Sequence, residues 1–185
     1  MKPRIGWDEG FEEASRRAAA STLALARRRG LVDVGYTIVD SPVGRLLLAS
    51  TPAGLVRLEF LDGDPDDVLE ELAETLSPRV LEDPKRLDPA RRQLEAYFEG
   101  RVHRFRTALD WSLAREGFSR RVLETTAAIP FGSVSTYGDV AKRAGSPRAA
   151  RAAGNALHDN PIPIVVPCHR VVPSGGGVGE FEFAW

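Results

Sequence analysis

The chain contains a single cysteine, Cys168, so no disulfide can form within it and a cysteine-rich structural zinc site is excluded. It has no apolar run approaching the roughly 20 residues that a membrane-spanning helix needs. No internal repeat or low-complexity tract breaks the pattern, which argues against a solenoid or a disordered tail. Nor is there a lopsided charge: the net value of −1 gives no support by itself to nucleic-acid binding. Asp8, Glu9, Glu12 and Glu13 stand where a secretory signal would carry a basic start and an apolar core, so a cytoplasmic, reducing location is expected.

What is present suffices for a core. At 185 residues and 43% hydrophobic content the chain can form one large domain or two small ones. Residues 12 to 29 are rich in Ala, Leu and Arg and read as a helix that Gly30 can terminate. Tyr36 to Val39, Arg45 to Ser50 and Leu55 to Phe60 read as strands of an antiparallel meander, parted by Asp40-Ser41-Pro42-Val43-Gly44 and Thr51-Pro52-Ala53-Gly54. Asp64-Pro65 opens a helix to Leu76, with Val68, Leu69 and Leu72 inward, and Asp88-Pro89 opens another to Phe98. Arg106 to Trp111 reads as a returning strand. A composition shift between Ser112 and Gly117 suggests a boundary, followed by a helix from Phe118 to Ala128. The expected organisation is a helical extension over residues 1–33, an α/β domain over 34–114 and a mostly helical domain over 115–185.

Cys168 lies within Pro167-Cys168-His169-Arg170. Cationic neighbours favour the thiolate, the form that attacks carbon. The competing reading is a buried cysteine serving as a small apolar side chain. Ile162-Pro163-Ile164-Val165-Val166 reads as a buried strand and Val171 to Gly177 as a loop, which places the thiol where scaffold meets flexible chain. In a continuing strand Cys168 and His169 would point to opposite faces, so direct contact requires a turn. His103 and His158 lack the spacing of a Cys/His hydrolase.

A second constellation precedes the cysteine. Thr136-Tyr137-Gly138-Asp139 is a capping box for a helix from Tyr137 to Ala144, ended by Gly145, and Ser146-Pro147 is expected to open the next. Together they make a helix-turn-helix. On the second helix Arg148, Arg151, Asn155 and His158 share a polar face, and nearly every other position is Ala or Gly. Between Val140 and Val172 five basic residues (Lys142, Arg143, Arg148, Arg151, Arg170) stand against one acid, Asp159. A basic face over a helix of little bulk suits close approach to a phosphate backbone.

Tyr137, Arg151, Asn160-Pro161 and Pro167-Cys168-His169-Arg170-Val171, in this order and spacing, resemble the O6-alkylguanine-DNA alkyltransferases. The resemblance runs from about Gly117 to Gly179, and the elements from Tyr36 to Trp111 agree with that family's N-terminal domain. It implies an α+β fold, with an N-terminal antiparallel sheet and helices of ribonuclease H-like type and a C-terminal helical domain with a helix-turn-helix. It further implies single-turnover transfer of an alkyl group from guanine O6 to Cys168. His169 would draw the thiol proton off through a water, Tyr137 would donate toward the departing guanine, and Asn160 would hold the turn leading to the cysteine. Arg151 would replace the extruded nucleotide in the duplex, with Arg148, Asn155, Thr136, Arg170 and Ser174 completing the DNA-contacting set. The implied partner is double-stranded DNA containing O6-alkylguanine, met by a monomer with no metal, no nucleotide cofactor and no membrane. Family members usually continue with a Tyr/Ser-Gly-Gly segment and a helix whose glutamate orients the histidine. Here Gly179-Glu180-Phe181-Glu182-Phe183-Ala184-Trp185 stands instead, with no aligned glutamate. Without that partner the histidine is a weaker base and the pocket is wetter, which keeps a non-catalytic lesion-binding protein as the alternative.

Overall fold

The computed structural model describes residues 9–175. The glycine loop from Gly176 onward and the tail Gly179 to Trp185, including Glu180 and Glu182, lie outside the described residues. A first helix, α1 (Glu9–Arg28), precedes three strands, β1 (Val34–Ser41), β2 (Gly44–Thr51) and β3 (Gly54–Leu61), that form the expected antiparallel meander. Then come α2 (Asp66–Thr75), β4 (Val80–Glu82) and α3 (Pro84–Phe98). The sheet order is β3-β2-β1-β4, and β4, which the sequence reading did not include, pairs with β1 in parallel.

β2 sits inside the sheet with helices over both faces. Leu46 and Leu48 enter the larger core beneath α3, whereas Leu47 and Ala49 enter a smaller one with Leu72, Val68 and Leu69 of α2. A strand covered on both faces reads as a continuous apolar run, as Leu46-Leu47-Leu48-Ala49 does. β3 is an edge strand, and its open edge is occupied. The Leu55 amide donates to Ala108 O at 2.8 Å, the Asp110 amide donates to Leu55 O at 2.8 Å, and the Leu58 amide donates to Pro161 O at 2.9 Å. These contacts replace the strand expected over Arg106 to Trp111: only a parallel bridge, Leu55 to Leu109, forms there. Gly54 permits the approach, since a Cβ on it would stand 2.3 Å from Ala108 O.

The helix expected to open at Asp88-Pro89 opens one Asp-Pro pair earlier. Buried Asp83 caps α3 by accepting the Arg86 amide at 3.0 Å, Pro84 takes the first turn, and Pro89 is carried inside the helix.

Trp111 to Gly117 carries no helix or strand, and four helical pieces follow. These are α4 (Phe118–Ala127), α5 (Tyr137–Arg143), α6 (Ala150–His158) and a 3-10 turn at Cys168–Arg170, with two-residue strands β5 (Ser135–Thr136) and β6 (Val171–Val172) paired in parallel. Ser146-Pro147 does not start α6. It forms a turn in which the Ala149 amide donates to Ser146 O at 3.0 Å, and the helix begins at Ala150. Proline fits the second position of such a turn as well as the first of a helix, and Gly145, with φ +87°, has already reversed the chain. Val122 and Leu123 of α4, Val140 and Ala141 of α5, Ala153 and Leu157 of α6 and Cys168 all share the larger core with the sheet. No described helix is long and apolar enough to cross a membrane.

Leu123 is 1% exposed in this shared core. Leu123→Ala is expected to cost about 2–5 kcal/mol, read as a fall in urea midpoint, in one transition that unfolds sheet and helices together.

Candidate active site

The approach to the cysteine is a knotted series of turns, not the strand expected over Ile162 to Val166. Pro161, Pro163 and Pro167 lack the amides that a ladder would use, so the β-branched residues between them cannot pair as a strand. Asn160 organises the segment instead. Its Oδ1 accepts the Ile162 amide at 3.1 Å, and its Nδ2 donates to Val166 O at 2.9 Å. Within that clasp the Val166 amide donates to Ile162 O at 2.9 Å, and Ile164 adopts φ +70°, a strained value for a β-branched residue. The Cys168 amide then donates to Val166 O at 2.8 Å, and Cys168 begins the 3-10 turn.

Cys168 is 7% exposed. Burial pushes its thiol pKa up, opposed by the Asn160 carboxamide and by the backbone amides of the turn. The expectation that cationic neighbours make a standing thiolate is therefore corrected. Arg170, the nearest cation in sequence, directs its guanidinium to Ile129 O at 2.9 Å and to the Tyr97 hydroxyl at 3.4 Å. His169 keeps solvent exposure, yet loss of water on its protein side, followed by the Arg170 charge, lowers its pKa. Among the described residues no hydrogen bond joins the Cys168 and His169 side chains, as neighbouring positions on a 3-10 turn point apart. A neutral imidazole beside a protonated thiol can act as base only through an intervening group such as water.

The helix-turn-helix packs into the same core as this turn. Thr136 caps α5 as expected: its hydroxyl accepts the Asp139 amide at 3.0 Å and donates to the Asp139 carboxylate at 2.7 Å. Tyr137, half-buried, lays its ring against Gly154 of α6, where a Cβ would stand 3.8 Å from the ring carbons. Arg121 of α4 donates to Ala144 O at 2.9 Å and caps the far end of α5, a link the sequence did not disclose. Ala153, Ala156 and Leu157 pack inward, leaving Arg151, Asn155 and His158 exposed on the outer side of α6. Arg148 is exposed but belongs to the preceding turn, and Ser174 is exposed beyond β6. The structure thus gathers Cys168, His169 and Asn160 on one clasped segment and Thr136, Tyr137, Arg151 and Asn155 on the helix pair. Arg170 is turned away into the protein. No cluster of three or more metal-ligating side chains occurs among the described residues.

A raised thiol pKa has a direct consequence in the free protein. Carbamidomethylation of Cys168 by iodoacetamide should be slower at pH 7 than that of a small free thiol and should climb with pH beyond the ordinary thiol range; a fast, pH-independent reaction near neutrality would show a standing thiolate instead.

Comparison with known proteins gives this site its setting. The family model for the 6-O-methylguanine DNA methyltransferase DNA binding domain matches residues 117–185, and that for the ribonuclease-like domain of the same proteins matches residues 34–111. The chain is 42% identical over 143 residues to a methylated-DNA--protein-cysteine methyltransferase of Methanosarcina barkeri, covering 76% of this chain and 84% of that one. It is 38% identical over 143 residues to the protein of that name from Mycobacterium tuberculosis, covering 77% and 81%. The crystal structure of Mycobacterium tuberculosis OGT in complex with DNA superposes with TM-score 0.66 at 36% identity, over 80% of this chain and 83% of that one. With both halves matched in order, the chain belongs to the 6-O-methylguanine DNA methyltransferase family.

Proposed function

We propose that this protein reverses alkylation at guanine O6 in duplex DNA, Cys168 taking the alkyl group irreversibly so that each molecule acts once. The observation that carries the reading is the placement of the chain's single thiol on a clasped turn that shares one core with a helix pair whose outer side exposes Arg151 and Asn155, in a chain of this family. Transfer of an alkyl group from DNA to cysteine is the activity of the family, and a soft sulfur nucleophile suits displacement at an alkyl carbon.

The residues divide the work as follows. Arg151 and Asn155, on the exposed side of α6, enter the minor groove, where alanines let the helix approach closely and Arg151 fills the space of the extruded nucleotide. Arg148, Thr136 and Ser174 lie at the ends of the helix pair and of β6 and supply phosphate contacts. With the damaged base against Tyr137, the thiol proton passes through a water to His169, sulfur forms a bond to the alkyl carbon, and the carbon–O6 bond breaks with its electron pair going to guanine. Tyr137 donates toward that developing charge. Extrusion costs a few kcal/mol and least for a poorly paired damaged base, which favours lesions over intact guanine. The domain division at 34–114 and 115–185, action as a monomer and a cytoplasmic location belong to the same reading, with residues 1–33 a helical extension outside the chemistry.

Intact-protein mass spectrometry after incubation with a duplex bearing O6-methylguanine tests the function. One methyl mass per molecule, mapped to Cys168 and absent from Cys168→Ala, is expected; lesion binding without mass gain would make the protein a non-catalytic lesion binder. Arg151→Ala should slow transfer by about 10²-fold or more while weakening plain duplex binding far less, since only the extruded state is lost. The pH profile follows from His169, which must be neutral to accept a proton. Because its pKa is lowered, the transfer rate should hold through the ordinary imidazole range as pH falls and drop only below it; a midpoint at or above that range would exclude the assignment.

A further inference from the structure

Arg170 belongs by sequence to the acceptor motif and by charge to a DNA-contacting set, yet its side chain does neither task directly. Nη1 donates to Ile129 O just after α4 at 2.9 Å, and Nη2 donates to the hydroxyl of Tyr97 on α3 at 3.4 Å. The guanidinium carbon lies 5.5 Å from the centre of the Phe131 ring, in the loop between α4 and β5. That ring is stacked in turn on His103 at 4.2 Å, and Tyr97 meets it edge-on at 6.4 Å and lies 5.0 Å from Phe105. Two separate pieces of the chain therefore converge on one side chain: α3 with the segment after it, and the loop between α4 and β5 that carries Ile129 and Phe131.

The location gives this convergence a purpose. Arg170 is the last residue of the 3-10 turn that begins with Cys168, and its amide donates to Pro167 O at 2.9 Å. One turn of 3-10 helix has three residues, so fixing its last side chain fixes the directions in which the first two project. Asn160 secures the chain ahead of the thiol, and among the described residues Arg170 and the short β5–β6 pairing secure it behind. A planar guanidinium with two directed donors and an aromatic face can set orientation as well as position; an ammonium cannot.

We propose that Arg170 is a positioning residue for alkyl transfer, through which Tyr97 of the N-terminal half and Ile129 of the loop after α4 hold the Cys168–His169 turn in its reactive orientation. This rests on the transfer reading given above. It assigns the N-terminal half a part in the reaction, as the wall against which the acceptor turn is braced, and it makes Arg170 unavailable to a phosphate.

Two mild variants test it, Tyr97→Phe, which removes only the hydroxyl, and Arg170→Lys, which keeps the charge and loses the fork. Three quantities are measured: the transfer rate at saturating lesion duplex, the dissociation constant for that duplex as a function of salt, and amide hydrogen exchange across residues 168–172 without DNA. Transfer is expected to slow several-fold in Tyr97→Phe and roughly tenfold or more in Arg170→Lys, as a small misplacement of reacting groups does. Duplex affinity and its salt dependence should remain those of the unaltered protein, and exchange in the turn should quicken. Wild-type transfer rates or unchanged exchange in both variants would overturn the proposal. So would a salt slope shallower by about one in a third variant, Arg170→Met, which removes the charge, since that is the mark of a lost phosphate contact. Should the unaltered protein transfer nothing, the transfer reading fails by itself, and exchange in the turn still decides whether Arg170 braces it.

Discussion

Asn160 closes the loop before the cysteine from both ends, accepting the Ile162 amide and donating to Val166 O, and the rest of the site depends on that closure. The enclosed residues are largely buried and include two prolines, so they can supply few amides of their own. Left without the carboxamide, Val166 O would keep only the Cys168 amide as a donor, at a cost of about 0.5–1.5 kcal/mol for the lost bond. The strained φ of Ile164 is tolerated only because neighbouring contacts over-determine it. From this clasp the Cys168 amide reaches Val166 O, and the 3-10 turn begins.

The clasp is not isolated from the rest of the fold. Pro161 O accepts the Leu58 amide on the edge of β3, so the loop that carries the cysteine also covers a strand edge which would otherwise be open. Cys168 lies in the same core as Leu46 and Leu48 of β2 and Leu123 of α4. Burial that raises the thiol pKa and lowers that of His169 follows from this packing. The thiol is thus biased toward its protonated form and the adjoining imidazole toward its neutral form, an arrangement that suits a nucleophile used once and only when DNA has delivered a target.

Much of this was legible in the sequence, wherever a local signal has one physical meaning. The turns at Ser41 to Gly44 and Thr51 to Gly54 located the meander, and Thr136 with Asp139 located α5, because the interactions are made within a few residues. Signals with two meanings misled. Ser146-Pro147 serves a turn as well as a helix start, and Asp83-Pro84 and Asp88-Pro89 are equal as caps until burial of Asp83 selects the first. Ile162 to Val166 has strand composition, but its prolines and the reach of Asn160 override propensity. The protonation state of Cys168 was not legible, because it follows from packing, and neither was the engagement of Arg170 with Tyr97, 73 positions away. The motif singled out Cys168, His169 and Asn160; only the fold showed what holds them.

The central claim is that the Asn160 clasp presents the thiol, and it is tested most directly by comparing lesion affinity with transfer rate in Asn160→Ala and in Asn160→Asp, which keeps the acceptor for Ile162 and loses the donor to Val166. The account predicts a transfer rate reduced by about 10²-fold or more in both, with lesion affinity nearly retained, since the bonds of Thr136 and Arg121 that hold the ends of α5 do not involve Asn160. Transfer at the unaltered rate in both variants would contradict it, because the turn would then hold its reactive geometry without the clasp.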